Sequence, residues 1–113
     1  MDADHARELL AQARARVERA LADAVQREDD DDPDPFEASD AGSDLLDVEL
    51  EEGRAERLRE ELEAISRAEQ RLAEGTYGVS VESGQPIPDA RLEAIPWAER
   101  TAEEQARYEL RGP

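Results

Sequence analysis

The chain has 113 residues, 40% of them charged and only 4% aromatic, and its 31 acids against 14 bases give a formal net charge of −17. That length fits one domain with extensions, and so few aromatics exclude the broad apolar pocket that enzymes commonly use. The charge excludes direct binding to duplex nucleic acid, which needs Lys and Arg at the phosphates; it suits a basic partner surface or a site with a divalent metal.

All the bases are arginine and there is no Cys, so neither a disulfide nor a thiolate metal site is available. No apolar run is long enough to span a membrane. The start, Met1-Asp2-Ala3-Asp4-His5, lacks the basic-then-apolar form of a secretory leader. The expectation is a cytoplasmic protein with no membrane contact.

Residues 3–27 read as a helix. Leu10, Ala13, Val17, Ala20 or Leu21, and Ala24 recur at steps of three and four. Arg14, Glu18 and Arg19 lie on the other face, with Arg14 and Glu18 spaced to pair. His5 is the only histidine, with no second His or Cys to complete a metal site, and reads as a solvated side chain.

Residues 28–52 hold 13 acids and no base, which leaves 18 acids against 14 arginines elsewhere. Pro33 and Pro35 stop any helix. Residues 28–42 therefore read as the acidic turn of a helical hairpin, the plain alternative being a solvated linker. Phe36, the only Phe, stands among the acids as Asp34-Pro35-Phe36-Glu37, where an exposed aromatic would anchor a partner.

Ser43 is a cap-type residue, and Asp44 and Asp47 follow in what would be the first helical turn. The seam continues through Leu46, Leu50, Ala55, Leu58, Leu62, Ile65, Ala68 or Glu69, and Leu72. From Ala55 onward its steps have a/d form. Gly53 interrupts it at a cost of about 1 kcal/mol against Ala. Glu63 and Arg67 are spaced as an i,i+4 pair. The helix should end near Ala73, with Gly75 capping it. Two helices with narrow seams need each other, and the turn folds them antiparallel. A helix of about 28 residues spans about 42 Å, so the expected product is a stiff rod with its acids at one end.

Residues 75–97 have no helical period. Val79 and Val81 alternate with Ser80 and Glu82 as in a short strand, a turn follows at Glu82-Ser83-Gly84-Gln85, and Pro86-Ile87-Pro88 returns as a small β-hairpin. Tyr77, Leu92, Ile95 and Trp97 are the expected small core. Residues 101–110 read as a short final helix with Ala102, Ala106 and Leu110 on one face and a Glu103–Arg107 pair on another. Thr101 with Glu104 has capping-box form.

The run Gly75-Thr76-Tyr77-Gly78, then Gly84-Gln85-Pro86-Ile87, then Arg91-Leu92-Glu93-Ala94-Ile95-Pro96 resembles the zinc-finger segment of the DksA/TraR family. The likeness extends over about residues 5–110. It implies a mainly α fold. Residues 1–74 form an antiparallel coiled-coil hairpin with its acidic tip at about 28–42. Residues 75–113 form a finger-like module with a C-terminal helix. The family's two Cys-x-x-Cys pairs fall on Ser80 and Ser83, then Thr101 and Glu104. Hydroxyls are poor zinc ligands and one carboxylate cannot hold the ion, so a zinc-less module with no cofactor is expected. Val79, Val81, Ile87, Leu92, Ile95 and Trp97 would then have to stabilise it.

The resemblance also implies a function. Family members insert the hairpin into the secondary channel of bacterial RNA polymerase, bring the tip towards the catalytic magnesium, and change promoter open-complex stability, often with guanosine tetraphosphate. The family tip, Asp-x-x-Asp-x-Ala, is matched by Asp34, Glu37 and Ser39, with Ala38 adjacent. The resemblance therefore implies a monomeric, non-enzymatic transcription regulator. Its partner-binding tip would be Asp34, Phe36, Glu37, Ala38 and Ser39. The alternative is an adaptor that kept the fold and binds another basic protein.

Overall fold

The computed structural model describes the backbone of residues 1–30 and 41–111, and the side chains of residues 1–27 and 53–111. Among the described residues there are four helices: α1 (Ala3–Asp30), α2 (Ala41–Glu74), α3 (Asp89–Ala94) and α4 (Ala102–Arg111). The long pair α1 and α2 forms the expected helical hairpin.

α1 opens on Asp2, whose carboxylate accepts the Asp4 N–H at 3.4 Å, in the manner of a helix N-cap. It runs three residues beyond the predicted 27. α2 begins two residues before Ser43 and passes through Gly53 without a break; the Ser43 cap and the seam at Leu46 and Leu50 involve side chains outside the described residues. At its other end the prediction holds. Gly75 takes φ +81°, the Thr76 N–H reaches the Arg71 carbonyl at 2.9 Å, and the Gly75 N–H reaches that of Leu72 at 3.3 Å. This pair of bonds is a Schellman motif, which needs the left-handed backbone that glycine adopts without strain.

The chain divides into two compact units, Ala15–Leu62 and Met1–Arg14 with Glu63–Pro113. In the first, Val17, Ala24 and Ala55 are buried, and Ala20, Leu21, Leu58 and Leu62 are half-buried. In the second, the α1 side chains Ala6, Leu10 and Ala13 and the α2 side chains Ile65 and Ala68 are buried. There Arg14 of α1 bridges to α2, donating to Glu69 at 2.6 Å and to Ser66 at 2.8 Å. The buried positions are those of the predicted seams, with Ala6 added one turn earlier.

The module after Gly75 departs from expectation in three ways. The predicted strand at Val79–Val81 is reduced to a single antiparallel bridge between Val79 and Pro86. Proline has no N–H to continue a ladder. The Ser80 and Ile87 N–H groups instead bond the Gln85 and Gly78 carbonyls, each at 2.8 Å. Secondly, Val79 and Val81 are exposed rather than core, and Trp97 is half-buried. The core is Ile87, Leu92 and Ala98, with Tyr77 and Ile95 packed against it. Thirdly, residues 89–94 form α3, six residues between Pro88 and Ile95, too short to show a period. The apolar residues expected on one face of the last helix, Ala102, Ala106 and Leu110, are all exposed.

This division of the module into core and surface is testable by denaturant unfolding. Leu92, 1% exposed, should cost about 2–5 kcal/mol when changed to Ala. Leu110, 88% exposed, should change stability by less than about 0.5 kcal/mol on the same substitution.

Candidate functional site

The four positions singled out by the sequence come together in the module. Ser80 is buried and Ser83 exposed on the turn that Gly84 closes with φ +74°. The Gly84 N–H donates to the Ser80 carbonyl at 2.9 Å. The Ser80 hydroxyl oxygen accepts the Glu82 N–H at 3.1 Å and the Ser83 N–H at 3.3 Å. Thr101 and Glu104 form the predicted capping box at the start of α4. The Thr101 N–H donates to the Glu104 carboxylate at 2.9 Å, and the Glu104 N–H donates to the Thr101 hydroxyl at 3.2 Å.

Glu104 is a buried acid, 5% exposed. Its carboxyl is held down at about 2. The Thr101 N–H is the largest cause, followed by the Ser80 hydroxyl; burial opposes them, and the Ser83 and Thr101 hydroxyls add to the lowering. Hydrogen bonds to the ionised form favour it. The Thr101 N–H bonds this carboxylate at 2.9 Å, and the hydroxyls of the 80–83 turn add to holding it ionised.

A second, half-buried acid, Glu99, was not anticipated. Glu99 accepts from Arg67 Nε at 2.5 Å and from Arg71 Nη1 at 3.2 Å, both on α2. Burial pushes its carboxyl up, but the bonds and charge of Arg67 and Arg71 outweigh burial and hold it below the usual range. Arg100 approaches Glu99 at 3.7 Å and Glu82 at 3.4 Å. Its guanidinium lies 3.9 Å from the centre of the Tyr108 ring on α4, in the arrangement of a cation–π contact. Arg91 Nε donates to the Arg100 carbonyl at 3.0 Å. Two further contacts tie the start of α1 to α3: His5 with Glu93 at 2.5 Å, and the Met1 ammonium with Asp89 at 3.2 Å. His5, read as a lone solvated side chain, is therefore exposed but partnered.

The predicted tip residues Asp34, Phe36, Glu37, Ala38 and Ser39 lie outside the described residues. Among the described residues no group of three or more His, Cys, Asp or Glu side chains could hold a metal ion, and no helix is long and apolar enough to cross a membrane.

Comparison with known proteins follows the same geometry. Residues 75–110 match the family model described as the prokaryotic dksA/traR C4-type zinc finger. General stress protein 16O of Bacillus subtilis is 53% identical over 51 residues, 45% of this chain and 31% of that protein. The RNA polymerase-binding transcription factor DksA of Caulobacter vibrioides is 35% identical over 96 residues, 85% of this chain and 66% of that protein. The structure of transcription factor DksA2 from Pseudomonas aeruginosa superposes with a TM-score of 0.79 at 29% identity, covering 96% of this chain and 84% of that one. The chain belongs to the DksA/TraR family. It spans about a third of the length of the first relative and just under two thirds of the second.

The family model is that of a C4-type finger, and the positions that the sequence resemblance assigns to its ligands are Ser80, Ser83, Thr101 and Glu104. These residues do not fit structural zinc. Closed zinc sites use thiolate and imidazole, whereas this set is three hydroxyls and one carboxylate. The Ser80 oxygen already accepts two backbone N–H groups, and the carboxylate already accepts from Thr101.

Both acids predict acid sensitivity. The Glu104 carboxyl is depressed in the folded state, from an ordinary 4.5 to about 2. Its contribution to stability is therefore fully present above about pH 4.5 and lost as pH falls towards about 2. Glu99 is depressed too and adds loss of the same sign. Unfolding midpoints measured across that range should fall with acid, and Glu104→Gln should flatten the fall.

Proposed function

We propose that this chain binds bacterial RNA polymerase in the cytoplasm, as a monomer and without contacting DNA, and carries its acidic turn into the secondary channel to modulate initiation. The supporting observation is the likeness to DksA proteins over nearly the whole chain, hairpin and module together. The charge distribution agrees with it. Thirteen acids and no base fall within residues 28–52, a segment that takes in the end of α1, the connection and the start of α2. A strongly negative segment is drawn to a channel lined by basic groups, and the association rate then falls with ionic strength.

In this reading Asp34 and Glu37 supply charge near the catalytic magnesium, which prefers oxygen ligands. Phe36 supplies an apolar anchor, and Ala38 and Ser39 complete the tip. Guanosine tetraphosphate dependence is decided by adding it to the same transcription assay.

The test is binding to purified polymerase together with transcription from a responsive promoter. The parent should bind, with affinity falling as salt rises. Asp34→Asn with Glu37→Gln should remove the effect on initiation and weaken binding by about tenfold or more, about 1.4 kcal/mol. A double variant that acts like the parent contradicts the tip mechanism. A parent that recovers no polymerase subunit favours the adaptor reading instead.

A further inference from the structure

We propose that the module retains the backbone of a four-position metal cage and that the Glu104 side chain, rather than an ion, fills its centre and links the two segments. The inference concerns the module alone and does not depend on polymerase binding.

Three observations carry it. Ser80 and Ser83 are three residues apart on one turn, and Thr101 and Glu104 are three apart at the start of α4. Pairs at this spacing are typical ligand pairs of structural zinc sites, and residues 75–110 match a family model described as a C4-type zinc finger. Next, the polar groups converge. The Glu104 carboxylate and the Ser80 side chain are both buried, the carboxylate accepts the Thr101 N–H at 2.9 Å, the Val81 N–H to Glu99 carbonyl bond brings the two segments together, and the Ser80 and Ser83 hydroxyls help hold the carboxyl low. Lastly, the backbone around the first pair is shaped for an anionic atom. The Glu82 and Ser83 N–H groups both point at the side-chain atom of residue 80, the arrangement that stabilises negative charge on it. At the second pair, the N-terminal end of α4 offers N–H groups and a favourable dipole.

The electrostatic logic is inverted from that of a zinc site. A cation gathers anionic ligands; here an anion gathers N–H and O–H donors from the same two segments. The Val81 N–H to Glu99 carbonyl bond at 2.9 Å and the Arg100–Glu82 ion pair hold the segments in register. Replacing the central carboxylate and the three hydroxyls by thiols would empty the centre and surround it with ligands suited to zinc.

The experiment compares the parent with the variant S80C/S83C/T101C/E104C. Both are refolded with zinc, dialysed and analysed for bound metal; cobalt is then used to read coordination by its thiolate absorption. The variant should hold one zinc per chain and show a tetrahedral cobalt spectrum, and chelator should lower its unfolding midpoint. The parent should hold no stoichiometric zinc and unfold at the same midpoint with or without chelator. A variant that folds without binding zinc overturns the proposal, as does one that fails to fold with zinc present, or a parent that carries one zinc per chain. As a control, Glu104→Ala should lower the parent's midpoint, while Glu109→Ala, on the exposed face of the same helix, should not; equal effects also overturn it.

Discussion

Glu104 is buried and Glu99 half-buried in a chain that already has a large excess of negative charge. Each is tolerated because donors from distant parts of the sequence meet it. Arg67 and Arg71 of α2 meet Glu99; Thr101, Ser80 and Ser83 meet Glu104. An acid buried without partners would be costly, and a partnered one is favourable only where the geometry is good. The module therefore depends on two polar junctions more than on apolar bulk. Among the described residues its hydrophobic cluster is small: Ile87, Leu92 and Ala98, with Tyr77 and Ile95 packed against it.

The two junctions do different things. Glu104 joins the turn at residues 80–83 to the start of α4, within the module. Glu99 joins the module to the last turns of α2 through Arg67 and Arg71. Arg100 lies between them, near Glu99 and Glu82 and against Tyr108. The Gly75 cap stops α2 where these contacts become possible. In the arrangement proposed above, the Glu104 carboxylate takes the place of the metal that gives the C4-type finger its name.

The hairpin seams were legible because buried side chains on a helix must recur at three and four. Leu10, Ala13, Val17, Ala55, Ile65 and Ala68 do so, and all are buried. The Gly75 cap and the Thr101–Glu104 box were legible because each is a local rule spanning a few residues. The Glu99 junction was not, since its partners lie 32 and 28 residues away and Arg67 has a nearer acid at Glu63. The strand reading of Val79 and Val81 rested on alternation alone. It failed because Pro86 cannot donate and the facing segment supplies one bridge. α3 was missed because six residues hold too little period. The tip at residues 34–39 was read from charge and resemblance, and it falls outside the described residues.

The polymerase reading joins these parts: a hairpin of the DksA kind, a module that follows its second helix, and acids concentrated in residues 28–52. The most direct measurement is photo-crosslinking from a reactive residue placed at position 36 in the full-length chain mixed with RNA polymerase. Crosslinks to residues lining the secondary channel, competed away by unlabelled protein, are the predicted result. Crosslinks only to the outer surface of the enzyme, or to another protein while polymerase is present, would contradict the account.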